Sequence, residues 1–301
     1  MGSGFKTFTA GAVLTASDVN NYLMEQSVMV FASAAARTSA VSSPEVGMVS
    51  YLTGTNVVEI YNGTSWTAIV SAGTPSYNFV STLYLTSTTT FTKATYPWLR
   101  AIRVKCQGAG GGGGGVANPA AGNVAIANGG GGGAYAESFI TDISGLAASV
   151  TVTVGAGGTA GAAGANNGGA GGTSSFGTAV SANGGALGTT QAAAVPPAGI
   201  NFTGLALGAT TATGDITIVG EDSQFGHAPD TANLVTSVGG NSVLGRSRRG
   251  QSNRTGGGFA MAGFAGQGYG AGGNGASSGQ NAGAVAGGAG APGIVIIELY
   301  A

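Results

Sequence analysis

The chain has 301 residues, of which 60 are glycine and only 7% are charged, against usual shares of about 7% and about 25%. Ten Lys and Arg stand against eleven Asp and Glu, giving a net charge of −1, while 43% of the residues are hydrophobic. These figures exclude a disordered polar tail, a general nucleic-acid binder with its basic excess, and a collagen with glycine at every third place and abundant proline. The single cysteine, Cys106, excludes an intrachain disulfide framework and a cysteine-based zinc site, and it reads as a small buried hydrophobe in a strand. The first nine residues lack the basic start and apolar core of a secretory signal, and no apolar run is long enough to span a membrane. So little surface charge solvates a monomer poorly, so the expected product is a soluble protein of the cytoplasm destined for a larger assembly.

In chain order, Thr15 or Ser17 can cap a helix with Asp18 in its first turn, and Val19, Leu23, Gln26 and Val30 follow at helical spacing. The alanine-rich run 32–36 suits more helix or a loop. Short strands are predicted at 48–52, 57–61 and 66–70, and Asn62-Gly63 between the last two is the strongest hairpin signal. A meander of this size has too little core to stand alone; it is expected to pack on the helix, on copies of itself or on a larger partner. Residues 73–100, rich in Thr, Ser and aromatics, read as a connector. The strand 101–106 alternates apolar and charged residues, and further strands are predicted at 135–141, 150–154, 215–219 and 293–300. Strands 101–106 and 293–300 are expected to be neighbours, because both are apolar and both flank glycine-rich stretches.

Between the strands lie the glycine blocks 108–115, 129–133, 155–172, 256–275 and 287–290. Each glycine forfeits roughly 0.5–1 kcal/mol relative to alanine, so sixty of them imply a need for glycine's geometry or its smallness. Positive-φ turns are one use. Extended, polyproline-II-like segments packed so closely that bare backbones exchange hydrogen bonds are another. Flexible linker fits less well, since the blocks are short of Ser and charge. The fold class expected is mainly β: a helix-plus-meander module (1–72), a connector (73–100) and a glycine-rich, β-sandwich-like domain with long glycine-rich loops (101–301).

Motifs that would carry chemistry are weak. Gly108-x-Gly110-x-x-Gly113 follows a strand, as a dinucleotide fingerprint does, but no helix can open in the residues after it, and no Gly-Lys pair forms a phosphate loop. Gly275-Ala276-Ser277-Ser278-Gly279 has the form of a nucleophile elbow, yet the only histidine, His227, precedes the serine. Asp215, Glu221, Asp222 and Asp230 could supply paired carboxylates for glycoside hydrolysis or simply solvate a polar loop. Charge concentrates in 215–254, which holds eight of the twenty-one charged residues. There Arg246, Arg248, Arg249 and Arg254 could bind phosphate or carboxylate groups of a surface glycan, or form a salt-bridge cluster with the nearby acids, within the loop or between subunits. Together with His227 and the aromatic residues Phe259, Phe264 and Tyr269 they form the candidate set for surface contact; the aromatics could equally anchor glycine segments to the core. No enzyme, metal or cofactor is expected.

Several runs resemble a known family. Phe91-Thr92-Lys93, Ile102-Arg103-Val104 and Gly108-Ala109-Gly110, then Gly132-Gly133-Ala134-Tyr135-Ala136-Glu137, Thr151-Val152-Thr153-Val154-Gly155 and the ending Gly290-Ala291-Pro292-Gly293-Ile294-Val295-Ile296-Ile297-Glu298 are similar to the glycine-rich domain of phage tail fibres and minor tail proteins. Ala10-Gly11-Ala12-Val13-Leu14-Thr15-Ala16-Ser17-Asp18 and Asn62-Gly63-Thr64-Ser65-Trp66 resemble the N-terminal parts of such proteins, while 190–254 has no counterpart in the pattern. The resemblance implies a virion structural protein assembled in the host cytoplasm and forming a homotrimer. It would join other tail proteins through its N-terminal module and bind a host surface glycan or outer-membrane protein through glycine-rich loops, with no nucleic acid and no membrane insertion. A head fibre or decoration protein without a receptor, and a glycan-degrading spike, are the alternatives.

Overall fold

The computed structural model describes residues 10–19, 28–69, 77–199, 205–253 and 259–301, in two compact units, Met1–Ser76 and Tyr77–Ala301. In the first unit α1 (Ala16–Val19) is capped reciprocally: Thr15 Oγ1 accepts from the Asp18 amide at 3.1 Å, and the Asp18 carboxylate accepts from the Thr15 amide at 3.2 Å. Leu23 and Gln26 of the expected helix lie outside the described residues. Val30 corrects the expectation: Val28–Phe31 is strand β1, a Val-Met-Val-Phe run better suited to a pleated surface than to a helix. The chain then enters α2 (Ala34–Ala40), with the Ser33 hydroxyl as its N-cap, and returns as β2 (Val49–Leu52), parallel to β1. The predicted meander follows as β2, β3 (Val57–Tyr61) and β4 (Trp66–Ala68), antiparallel neighbours in a sheet ordered β1-β2-β3-β4. Helix α2 is tied to the sheet by buried Arg37, which pairs with Glu59 on β3 and lies 4.4 Å from the ring centroid of Trp66 on β4.

The second unit takes in residues 77–100. Phe79–Leu85 is an edge strand, and Thr89–Thr92 carries Phe91 into the core, so this part of the expected connector is sheet. Phe91 stacks on Tyr96 and meets Phe176 edge-on, both at 5.5 Å between centroids; that aromatic content buries well only inside the unit. Two five-stranded sheets result. One is ordered Ile216–Ile218, Tyr135–Ile140, Ala101–Gln107, Ile294–Tyr300, Phe79–Leu85; the other Ala212–Thr213, Val180–Ala182, Ser174–Phe176, Ser149–Thr153, Thr89–Thr92. Ala101–Gln107 and Ile294–Tyr300 pair along their whole length, as expected. Their alternate residues Ile102, Val104, Cys106, Val295, Ile297 and Leu299 meet Val150, Val152, Phe176 and Val180 in the core. On the opposite face Arg103 and Lys105 lie across from Glu298 and Glu137, and Lys105 Nζ is 2.6 Å from Glu298 Oε1.

The glycine blocks are extended segments packed side by side. Along 108–116 the hydrogen-bond partner changes at every residue and recurs at every third. Gly108, Gly111 and Gly114 donate to Ala134, Gly131 and Asn128; Ala109, Gly112 and Gly115 to Gly172, Gly169 and Asn166; Gly110, Gly113 and Val116 to Ala291, Gly288 and Val285. The carbonyls accept in the same rhythm, for example Gly112 from Gly188, Gly113 from Gly161 and Gly114 from Ala276. Three residues per turn is the repeat of a polyproline-II helix, so 108–116 is the axis of a hexagonal bundle. Partner numbers fall along three of its neighbours and rise along the other three, so three run antiparallel and three parallel to it.

Polyproline II has no internal hydrogen bonds, and a buried amide without a partner costs roughly 1–3 kcal/mol. The lattice satisfies its amides laterally instead, and only glycine lets backbones approach that closely. A Cβ built on Gly111 would land on the carbonyl of Ala186. The segment 190–254, unmatched in the resemblance, supplies outer members: Ala209 donates to Gly132, Gly132 to Glu221, and Gly240 to Gly130.

Candidate surface-binding site

Gln107 is where sheet becomes lattice. Fully buried, its Nε2 shares its two hydrogens among the carbonyls of Gly108, Gly133 and Ala134, all at 2.9–3.1 Å, and its Oε1 accepts from the Leu244 amide. From there the eight steps of 108–116, at about 3.1 Å each, carry the far end of the lattice about 25 Å from the sheets. Small apolar clusters pin that end: Val124, Ile126, Ala228, Leu234 and Met261 in one, and Val116, Ala125, Ala127 and Ala276 in the other.

The segments turn around at this tip, and their loops are tied together. Gly122 N donates to Gln280 Oε1 and Gly283 N to Asn118 Oδ1, both at 2.8 Å; Asn281 N donates to the Pro119 carbonyl, and Val124 exchanges hydrogen bonds with Ala194. Residues 117–123, 191–197 and 279–284 contain no charged side chain. In the neighbouring turn 229–233 the Asp230 carboxylate accepts from Asn233 and from the Ala232 amide, which hold it below the usual carboxylate range. Besides the Asp230 carboxylate and His227, the tip offers neutral amides, carbonyls, and Asn and Gln side chains.

The candidate contact residues divide between two places. His227 lies at the tip, exposed, in a short strand beside Val235, and Phe259, half exposed, accepts there from the Gly279 amide. Arg254 lies outside the described residues. Arg246, Arg248 and Arg249 sit on the flank of the lattice, midway between sheets and tip, and line one pocket of about 380 Å³ with Ser247 and Gln267. Phe264 belongs here too, its ring centroid 3.9 Å below the Arg248 guanidinium. The backbone of Tyr269 holds the preceding turn, its amide donating to Leu244 and its carbonyl accepting from Ser242 Oγ.

Buried polar side chains fix the arginine loop to the lattice. Ser247 N donates to Asn241 Oδ1 at 2.9 Å, and the single hydroxyl proton of Ser247 is shared between the Gly272 carbonyl and Asn274 Oδ1. Asn274 Nδ2 donates to the carbonyls of Arg248 and Arg249 at 3.0 and 3.2 Å. Gln267 stands across a two-stranded pairing from Arg246. Sequence reasoning missed Asn274 and Gln267; the available signal was an amide side chain isolated in a tract where glycine and alanine are otherwise the rule.

Each acid of this region accepts from a nearby amide. Asp215 accepts from the Phe139 amide, Glu221 from Asn241 Nδ2 and Asp222 from the Gly208 amide; each holds a turn or a lattice edge. Among the described residues no carboxylate lies within 4.0 Å of Arg246, Arg248 or Arg249, so within the chain these three do not pair with the nearby acids. Ser277 of the elbow-like motif is buried in a strand beside Ile126 and Met261. The amides of the 108–113 motif are spent on other lattice segments. No group of three or more metal-ligating side chains occurs, and no helix is long and apolar enough to cross a membrane, among the described residues.

A family model described as a glycine-rich domain matches residues 86–300. No curated protein matches the chain.

Proposed function

Since the chain belongs, by that match, to the glycine-rich domain family, we propose that it is a virion structural protein, a phage tail fibre or tail-tip component that binds the host cell surface. The observation that carries this reading is a lattice with its amides satisfied, projecting a neutral set of mutually tied loops about 25 Å beyond its sheets. Such a projection is rigid and holds its contact groups in place before binding, which lowers the ordering cost of association. Amides, carbonyls, Asn and Gln suit the hydroxyls of a glycan or the backbone of an outer-membrane protein loop. In this reading the N-terminal unit joins the chain to other tail proteins and to two further copies of itself.

The test is competition. Purified protein added to host cells before challenge with the phage that carries it is expected to reduce adsorption in a dose-dependent way, with little change as monovalent salt rises, because screening acts on charges and the tip has few. Absence of competition by the folded protein contradicts the reading and favours a head fibre or decoration protein. Release of reducing sugar from the cells would instead indicate a glycan-degrading spike.

A further inference from the structure

Among the described residues, no carboxylate partners the arginines of the flank pocket. Elsewhere in this unit Lys105 and Arg103 lie beside Glu298, and Lys93 donates to the carbonyls of Ile143 and Leu146. In a chain with ten Lys and Arg in all, three of them fall within four consecutive positions, exposed and, among the described residues, without a carboxylate within 4.0 Å. Like charges so close repel one another, at a cost to the folded state. Yet the loop that holds them is fixed by Ser247 and Asn274, both buried, and Arg248 is oriented further by the face of Phe264. Built geometry that concentrates repulsion on an open pocket is geometry for an anion.

We propose that Arg246, Arg248 and Arg249 form a binding site for a phosphate-class oxyanion. A planar guanidinium donates two parallel hydrogen bonds to such a group, where a lysine offers a point charge. Gln267 at the pocket wall supplies a neutral donor and acceptor beside the charged centre. The volume of about 380 Å³ lies at the small end for ligand sites and suits a phosphate together with a sugar ring. A continuous nucleic-acid strand would need a longer basic track. The same chemistry is offered by a phosphorylated saccharide of a cell surface and by free phosphate. Only the saccharide source rests on the surface-binding reading.

Calorimetric titration of the full chain at low salt, with glucose 6-phosphate, inorganic phosphate and glucose in separate arms, tests the site. Glucose 6-phosphate is expected to bind saturably and glucose not at all, with binding falling steeply as salt is added, unlike adsorption through the tip. Arg248→Gln and Arg249→Gln are each expected to weaken binding about tenfold or more, the loss that follows from one charge-assisted hydrogen-bonded group. Arg248→Lys is expected to fall between, and Arg100→Gln, which removes an exposed charge elsewhere, to change nothing. Cooperative melting of each variant confirms its fold. Inorganic phosphate binding as tightly as the ester would keep the oxyanion site and assign it to free phosphate. Binding of neither anion, or an equal loss in Arg100→Gln, would overturn the site. The titration contains no cells, so it can fail while competition succeeds, and the reverse.

Discussion

Gly130 shows what the lattice demands of a single residue. Its amide donates to Gly273 and its carbonyl accepts from Gly240, and a Cβ added there would fall on the backbone of Gly111. No flexible side chain can yield, so Gly130→Ala has to push two segments apart. The expected cost is about 3 kcal/mol or more, read as a lowered midpoint in urea unfolding. Gly145 is the control: it is exposed, its φ is outside the left-handed region, and nothing lies within 4 Å of an added Cβ. Gly145→Ala is expected to stay within about 0.5 kcal/mol of the parent protein. The contrast separates glycine as a packing requirement from glycine as mere composition.

Among the elements, the paired strands Ala101–Gln107 and Ile294–Tyr300 hold the charge cluster that links stability to pH. Burial pushes the Glu298 carboxyl up, but hydrogen bonds from Lys105 and Tyr300 and the charges of Lys105 and Arg103 outweigh it and leave the group below its ordinary value. A carboxyl lowered in the folded state contributes stability above its ordinary value, and that contribution is lost as pH falls through the lowered one. Glu298→Gln is therefore expected to cost about 1 kcal/mol near neutral pH, with parent and variant converging as the solution is acidified below the usual carboxylate range. Thermal melts across that range check it. These strands were legible in the sequence because Ile102-Arg103-Val104-Lys105-Cys106 writes its two faces in alternate residues. The strand Val28–Phe31 was not, because a spacing counted through Val19, Leu23, Gln26 and Val30 fits a helix whichever structure its last residue adopts. The lattice was half legible: the glycine blocks were plain, and packed segments were one of the uses weighed for them. Their period of three is carried by hydrogen-bond partners far along the chain, and no side-chain pattern marks it. The arginine loop was visible as charge, but Asn274 and Phe264, which orient it, become its neighbours only through the return of 259–276 along its flank.

At the scale of the whole molecule, both functional proposals stand on the lattice as a rigid body: a projecting tip in one case, a fixed flank in the other. A chain one-fifth glycine would ordinarily have flexible tracts with freely exchanging amides. Here the sandwich core holds one end, the small apolar clusters hold the other, and the interior amides between them donate to neighbouring segments. Segment-resolved hydrogen exchange of the native protein measures this directly. Amides of 108–116 and 128–134 are expected to exchange as slowly as those of Ala101–Gln107 and to lose protection together with them in global unfolding. Glycine segments exchanging at unprotected rates while the strands stay protected would contradict the lattice, and with it the rigid display of both tip and flank.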